Sequence, residues 1–143
     1  MFKGQFKHNI DAKGRLIIPS KLREQCGEKV VITKGLDGCL AVYTTEGWDK
    51  YYSKIEKLPT TKQKVRDFVR LVTTLADDLV FDKLGRVNIS SFLRDVGGLK
   101  KECMIIGAGD HIEIWDLARW NKYYESRIDS FDELSESLDD FDL

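Results

Sequence analysis

The apolar positions of this chain change period in an ordered way. Gln5-Phe-Lys-His-Asn-Ile10 alternates apolar and polar residues, Asp11-Ala-Lys-Gly14 interrupts it, and Arg15-Leu-Ile-Ile18 resumes a β-type run, which predicts a hairpin with Asp-x-x-Gly at its tip. Pro19 and Ser20 mark the start of a short helix through Cys26, and Gly27 fits its C-terminal stop. Val30–Thr33 and Cys39–Tyr43, separated by Lys-Gly-Leu-Asp-Gly, predict a second hairpin, and Thr44 or Thr45 can cap a helix from Glu46 to Lys57.

The same order then returns. Strands are expected near Asp78–Phe81 and Val87–Ile89, a short helix to Val96, a hairpin from Cys103–Ile106 and Ile112–Trp115, and a helix from Leu117 to about Ile128 that Asp116 can cap. Between the two series, Val65, Phe68, Val69, Val72 and Ala76 follow helical spacing after Pro59. Beyond Ser130 the apolar residues thin to Phe131, Leu134, Leu138, Phe141 and Leu143 in an acidic background, which predicts a mobile or conditionally docked tail.

The repetition is also literal. Asp11-Ala-Lys-Gly14-Arg15 reappears 71 positions later as Asp82-Lys-Leu-Gly85-Arg86, and both copies continue Ile-x-Ser-x-Leu-Arg to Arg23 and Arg94. Trp48-Asp-Lys-Tyr-Tyr52 reappears as Trp120-Asn-Lys-Tyr-Tyr124. A repeated block implies a repeated fold unit. The expected organisation is therefore a first half-domain over 1–58, a linking amphipathic helix over 59–76, a second half-domain over 77–128 and an acidic tail over 129–143. With 143 residues the chain can bury one core but is short for two independent domains.

Charge adds a polarity to this picture. The formal net charge of −1 conceals a tail, 129–143, that carries −7 and a remainder that carries +6. Six of the basic residues fall within the first 23 positions against the single acid Asp11. Such a basic body suits a polyanionic partner, with the tail able to compete for the same surface. No apolar run is long enough for a membrane span or a signal peptide, so a cytoplasmic setting without membrane partners is expected. The three widely spaced cysteines suggest reduced core residues.

The repeated turn carries the candidate chemistry. An Asp that opens a turn accepts hydrogen bonds from backbone N–H groups two or more positions on, and Gly14 and Gly85 permit the positive φ that closes it. Asp11 and Asp82 are near enough to hold Arg15 and Arg86 by salt bridges, and a guanidinium so held offers a rigid fork to phosphate or to the O6/N7 edge of guanine. Lys13 and Lys83 flank these arginines at different loop positions, with Leu84 where the first copy has Lys13. A solvated hairpin tip needs the Asp and Gly but not the Arg, and two arginines at matching places favour the binding reading. The stripes Trp48, Tyr51, Tyr52 and Trp120, Tyr123, Tyr124 read as packing faces, with base stacking as the other possibility. No ligand spacing for a metal, no nucleotide-binding loop and no nucleophile motif is present, so no catalytic residue, metal or cofactor is expected.

The doubled Asp-x-x-Gly-Arg, the run from Asp11 to Arg23 and Ile112-Glu-Ile-Trp115 closely resemble the bacterial MraZ family across essentially the whole chain. The resemblance implies an α+β fold of two fused AbrB-like, swapped-hairpin half-domains with a β-barrel-like core, flanking helices and an internal pseudo-twofold axis. It implies a ring-shaped homo-oligomer that displays the loops on one face. It also implies a nucleoid-associated transcriptional repressor that binds double-stranded DNA at short direct repeats upstream of its own division and cell-wall gene cluster, with Asp11, Arg15, Asp82 and Arg86 as the residues that match. Asn88 and Ser90 replace Ile17 and Pro19 in the second copy. The other function class left open is an oligomeric protein-interaction scaffold or antidote-type regulator acting through the basic face and the acidic tail.

Overall fold

The computed structural model describes residues 1–141. The first copy supplies β1 (Gln5–Asn9), β2 (Arg15–Ile17), α1 (Ser20–Arg23), β3 (Lys29–Lys34), β4 (Leu40–Thr44) and α2 (Thr45–Ile55). After α3 (Gln63–Thr74), the second supplies β5 (Asp77–Val80), β6 (Arg86–Asn88), α4 (Ser91–Val96), β7 (Glu102–Gly107), β8 (Ile112–Asp116) and α5 (Leu117–Glu125). A 3-10 turn at Ile128–Ser130, α6 (Phe131–Glu136) and a 3-10 turn at Asp139–Phe141 follow. The protein is thus mixed α+β.

Local chemistry accounts for the starts of α2, α4 and α5. The Thr44 hydroxyl accepts the Gly47 N–H at 2.9 Å, and the Asp116 carboxylate accepts that of Arg119 at 3.3 Å, each satisfying an orphan donor at a helix start. The copies differ where Pro19 becomes Ser90. Pro19 precedes α1 with no side-chain cap, whereas the Ser90 hydroxyl accepts the Leu93 N–H at 3.2 Å and α4 runs six residues against four. The glycines after these helices also differ: Gly98 takes φ +61, while Gly27, expected to stop the first helix, adopts no left-handed conformation.

The sheet order is β1-β7-β8-β4-β3-β5, antiparallel at every pairing. Exchanging the copies and reading from the other end returns the same order. The first strand of each copy is therefore added to the other copy's hairpin, β1 on β7 and β5 on β3. The expected hairpin around Asp11 corrects accordingly: the turn forms, but β2 leaves β1 and pairs with β6 in a separate two-stranded ribbon. Barrel-like closure is likewise corrected. The sheet is open, with β1 and β5 as its edges, because the segments that could bridge those edges are used in the ribbon instead.

Three layers result. Alternate residues of the central strands, Val30, Ile32, Leu40, Val42, Ile105, Ile112 and Ile114, meet Leu16 and Val87 of the ribbon, Leu22 of α1 and Leu93 of α4 in the main core. The opposite sheet face carries α2, α3 and α5. Burial on both faces is why β3, β4 and β7 read as continuous apolar runs rather than strict alternations. The aromatic stripes pack here: Tyr51 stacks on Tyr43 at 5.0 Å, and Trp120 and Tyr123 lie 5.3 and 5.0 Å from Trp115. Helix α3 is tied down by Val72, which is buried and accepts the Thr33 hydroxyl at 2.9 Å through its carbonyl.

Two cysteines, Cys39 and Cys103, are buried and Cys26 is half-buried, all as free thiols. Burial raises their pKa values to about 12, 11 and 11 respectively, so none is activated as a thiolate. The segment expected to be mobile after Ser130 contains helical turns, yet none of its described residues is buried. Asp142 and Leu143, included in that expectation, lie outside the described residues. No helix among the described residues is long and apolar enough to cross a membrane.

Candidate nucleic-acid interface

The two Asp-x-x-Gly-Arg turns are near-superimposable in their bonding. In the first, Asp11 Oδ1 accepts the backbone N–H groups of Lys13 at 3.0 Å and Arg15 at 2.9 Å, and Oδ2 accepts Arg15 Nε at 2.6 Å. In the second, Asp82 Oδ1 accepts those of Leu84 and Arg86, both at 2.9 Å, and Oδ2 accepts Arg86 Nε at 2.7 Å. Each loop is also closed by one backbone bond from the Asp N–H to the Arg carbonyl and another from the Gly N–H to the Asp carbonyl. Gly14 and Gly85 sit at φ +87 and +78.

These bonds use one carboxylate fully and leave one end of each guanidinium free. The Arg15 backbone N–H, with its side chain, holds the Asp11 carboxyl below its ordinary 3.8, and Arg86 does the same for Asp82. Both carboxylates are therefore ionised partners at neutral pH. Among the described residues the terminal Nη1 and Nη2 of Arg15 and Arg86 have no protein partner. A guanidinium clamped at Nε and open at its tip is oriented before any ligand arrives.

The ribbon places these arginines on one face. In β2 and β6 the middle residues Leu16 and Val87 point into the core, so Arg15, Ile17, Arg86 and Asn88 project the other way. Register puts Arg15 opposite Asn88 and Ile17 opposite Arg86. The loops are also cross-tied, since the Gly14 carbonyl accepts the Ile89 N–H at 2.8 Å and the Gly85 carbonyl that of Ile18 at 3.0 Å. Beneath each loop lies an arginine of the other copy: Arg23 fills the space a side chain at Gly85 would need, and at Gly14 that space is taken by the Ile89 carbonyl with the Arg94 guanidinium beside it. Arg23 Nη1 also donates to the Ile18 carbonyl at 2.5 Å.

All eight residues singled out from the sequence, Asp11, Lys13, Gly14, Arg15, Asp82, Lys83, Gly85 and Arg86, thus belong to two loops joined through one ribbon. Lys13 and Lys83 are exposed without ion-pair partners among the described residues. Sequence reasoning missed Arg23, Arg94 and Asn88 as parts of the site. The first two ended the repeated motif and were visible as a matched pair, but only cross-copy pairing puts each under the other's loop. The aromatic stripes lie on the opposite layer and serve packing.

Comparison with known proteins agrees with the duplication. The sequence model of the family described as "MraZ protein, putative antitoxin-like" matches residues 1–71 and again 74–142. Proteins named Transcriptional regulator MraZ from Lactobacillus delbrueckii subsp. bulgaricus and Lactobacillus helveticus are each 48% identical over 143 residues, and that from Lactobacillus gasseri is 46% identical over the same length. In each case the alignment covers 100% of this chain and 100% of the relative. The twofold match and the full-length identity agree with the paired loops: this chain belongs to the MraZ family, whose named relatives are transcriptional regulators.

Proposed function

We propose that this protein is a sequence-specific DNA-binding transcriptional regulator, acting as a repressor at direct repeats upstream of its own division and cell-wall gene cluster. The observation that carries this reading is the pair of clamped arginines with free guanidinium tips on one face of a two-stranded ribbon. A B-DNA major groove admits such a ribbon. Arg15 and Arg86 donate to guanine O6 and N7, and the opposed Asn88 offers an amide suited to an adenine edge. Lys13 and Lys83 contact phosphates, which sets register and supplies salt-dependent affinity.

The repeats over 1–58 and 77–128, joined by 59–76, present one ribbon per chain. A small footprint is multiplied when several chains assemble, as in a homo-oligomeric ring, because binding at one direct repeat raises the effective concentration at the next. The protein works in the cytoplasm on the nucleoid, without a cofactor, metal or catalytic step. The test is a titration against duplex from upstream of its own gene and a scrambled duplex at two salt concentrations. Preference for the native repeats that Arg15→Ala abolishes supports the reading, and equal affinity for both duplexes overturns it.

The words "antitoxin-like" in the family description keep one other reading in play, an oligomeric scaffold or antidote-type regulator that uses the basic face and the acidic tail. That reading leaves the ribbon arginines dispensable, so the Arg15→Ala titration separates the two.

A further inference from the structure

The two outward rungs of the ribbon are not alike. Register pairs Arg15 with Asn88 and Ile17 with Arg86, on either side of the buried pair Leu16 and Val87. Each outward rung therefore holds one clamped arginine, and the residue opposite it differs in kind: an amide on one rung, an aliphatic side chain on the other. Asn88 is exposed, and its side chain makes no hydrogen bond among the described residues. Ile17 is 40% exposed, on a face whose other three strand residues are polar.

Folding does not account for this difference. Ile17 and Asn88 hold matching places in the two copies, and the strand that carries Asn pairs in the same ribbon as the strand that carries Ile. Neither belongs to the core. A single exposed isoleucine is ordinary on a protein surface. Here, however, it stands two positions after Arg15 and across the ribbon from Arg86, among guanidiniums oriented for a ligand. The consequence is polarity. With the same residue at both places, a half-turn about the pseudo-twofold axis would leave the strand face unchanged, and a site could be read in either orientation. Ile17 and Asn88 remove that equivalence, and the loop tips add to it, with Lys13 on one and the exposed Leu84 on the other. A symmetrical reader suits an inverted site, whereas repeats that all run one way need a reader with a direction.

We propose that Ile17 is a specificity-determining residue that packs on a thymine 5-methyl group, and that with Asn88 it fixes the direction in which the ribbon reads each repeat. In a major groove the 5-methyl of thymine is the one apolar feature a base edge presents, and an aliphatic side chain can recognise it without a hydrogen bond. Asn88 meets the opposite requirement, since its amide pairs with the N6 and N7 of adenine. A strand rise of about 3.3 Å per residue separates the two rungs by about 6.6 Å, close to two base-pair steps of about 3.4 Å. The four side chains thus span neighbouring base pairs. The assignment rests on the DNA-binding reading above and deepens it by naming a base at one end of the footprint.

The test titrates the full chain against its upstream duplex with deoxyuridine in place of thymidine, one position at a time and at the matching place of every repeat. This removes single methyl groups and leaves base pairing unchanged. At one thymine the substitution is expected to weaken wild-type binding about fourfold per repeat engaged, the worth of one methyl group withdrawn from water. Ile17→Asn uses the residue that the second copy already carries at the matching place, so the ribbon tolerates it. It is expected to lose a similar factor on the native duplex and then to bind native and substituted duplexes alike, the non-additivity that marks direct contact. Indifference of the wild type to every substitution overturns the proposal. So does equal sensitivity of Ile17→Asn at the same thymine, the result expected where the methyl acts through DNA shape alone. Either result leaves the DNA-binding reading standing while the native repeats are preferred to a scrambled duplex, and absence of that preference overturns both.

Discussion

The Gly14 carbonyl accepts a hydrogen bond from the Ile89 N–H at 2.8 Å, so the first loop is held by the strand that follows the second. The reciprocal bond joins Gly85 to Ile18. Neither loop is autonomous. Damage to one is expected to reach the other through the ribbon, which gives the first prediction. Gly85→Ala forces a side chain into a φ of +78 and against the Arg23 guanidinium. It is expected to cost about 2 kcal/mol or more, a fall in Tm of roughly 4–8 °C for a chain of this size. Calorimetry measures it, and an unchanged Tm would show that the loop relaxes freely.

Arg15 and its clamp are expected to separate by magnitude. Arg15→Ala removes the donor itself and is expected to weaken operator binding by about 1–3 kcal/mol per loop engaged. Asp11→Asn leaves the arginine but loosens it, at about 0.5–1.5 kcal/mol for the side chain that must then be ordered on binding. Arg15→Lys keeps the charge without the fork and is expected to behave more like Ala than like wild type. Fluorescence anisotropy at one fixed salt concentration compares the three; an Asp11→Asn loss as large as that of Arg15→Ala would mean that the carboxylate has another task.

The two loops are expected to differ in salt dependence. Lys13 stands where the second loop has Leu84, which is 66% exposed. Leu84→Lys should add one phosphate contact per loop and steepen the dependence of log K on log salt by about 0.9. Titrations over a range of salt read the slope directly, and an unchanged slope would place the second loop away from the phosphate backbone.

The helical layer holds a pH-dependent element. His111 Nδ1 lies 2.7 Å from Asp110 and Nε2 2.9 Å from Glu113, while Tyr43 stacks on the ring at 5.3 Å. Ionised carboxylates at both nitrogens can only accept, so it is the protonated ring, donating from both, that this arrangement favours. The Glu113 hydrogen bond, chiefly, raises the His111 pKa above 6.5, with Asp110 adding to it against the cost of burial. A raised folded value means that the stabilisation is complete below 6.5 and is lost as pH climbs through the folded pKa. Tm is therefore expected to decline from pH 6.5 into the alkaline range in the wild type and to be flatter in His111→Gln. The loop carboxylates have the opposite sign: Asp11 and Asp82 are depressed, so their contribution persists above 3.8 and disappears only as pH falls through still lower values.

Residue chemistry along the chain already determined the repeat, the sites of the two loops and the cap at Asp116, and it narrowed the cap of α2 to Thr44 or Thr45 and the aromatic stripes to packing or base stacking. These are local properties: a turn needs its Asp and Gly within a few positions, a cap acts within one turn of helix, and a stripe is set by helical spacing. The partners of β1, β2, β5 and β6 were not legible. A short strand such as Arg15-Leu-Ile presents the same alternation whether it returns along β1 or crosses to β6, and only the competition among all apolar surfaces for one core selects the second. That selection opened the sheet, put Arg23 and Arg94 under the opposite loops and set Asn88 beside Arg15. The loops were written in the sequence; which face they share, and what supports them, follows from long-range strand pairing that no local pattern encodes.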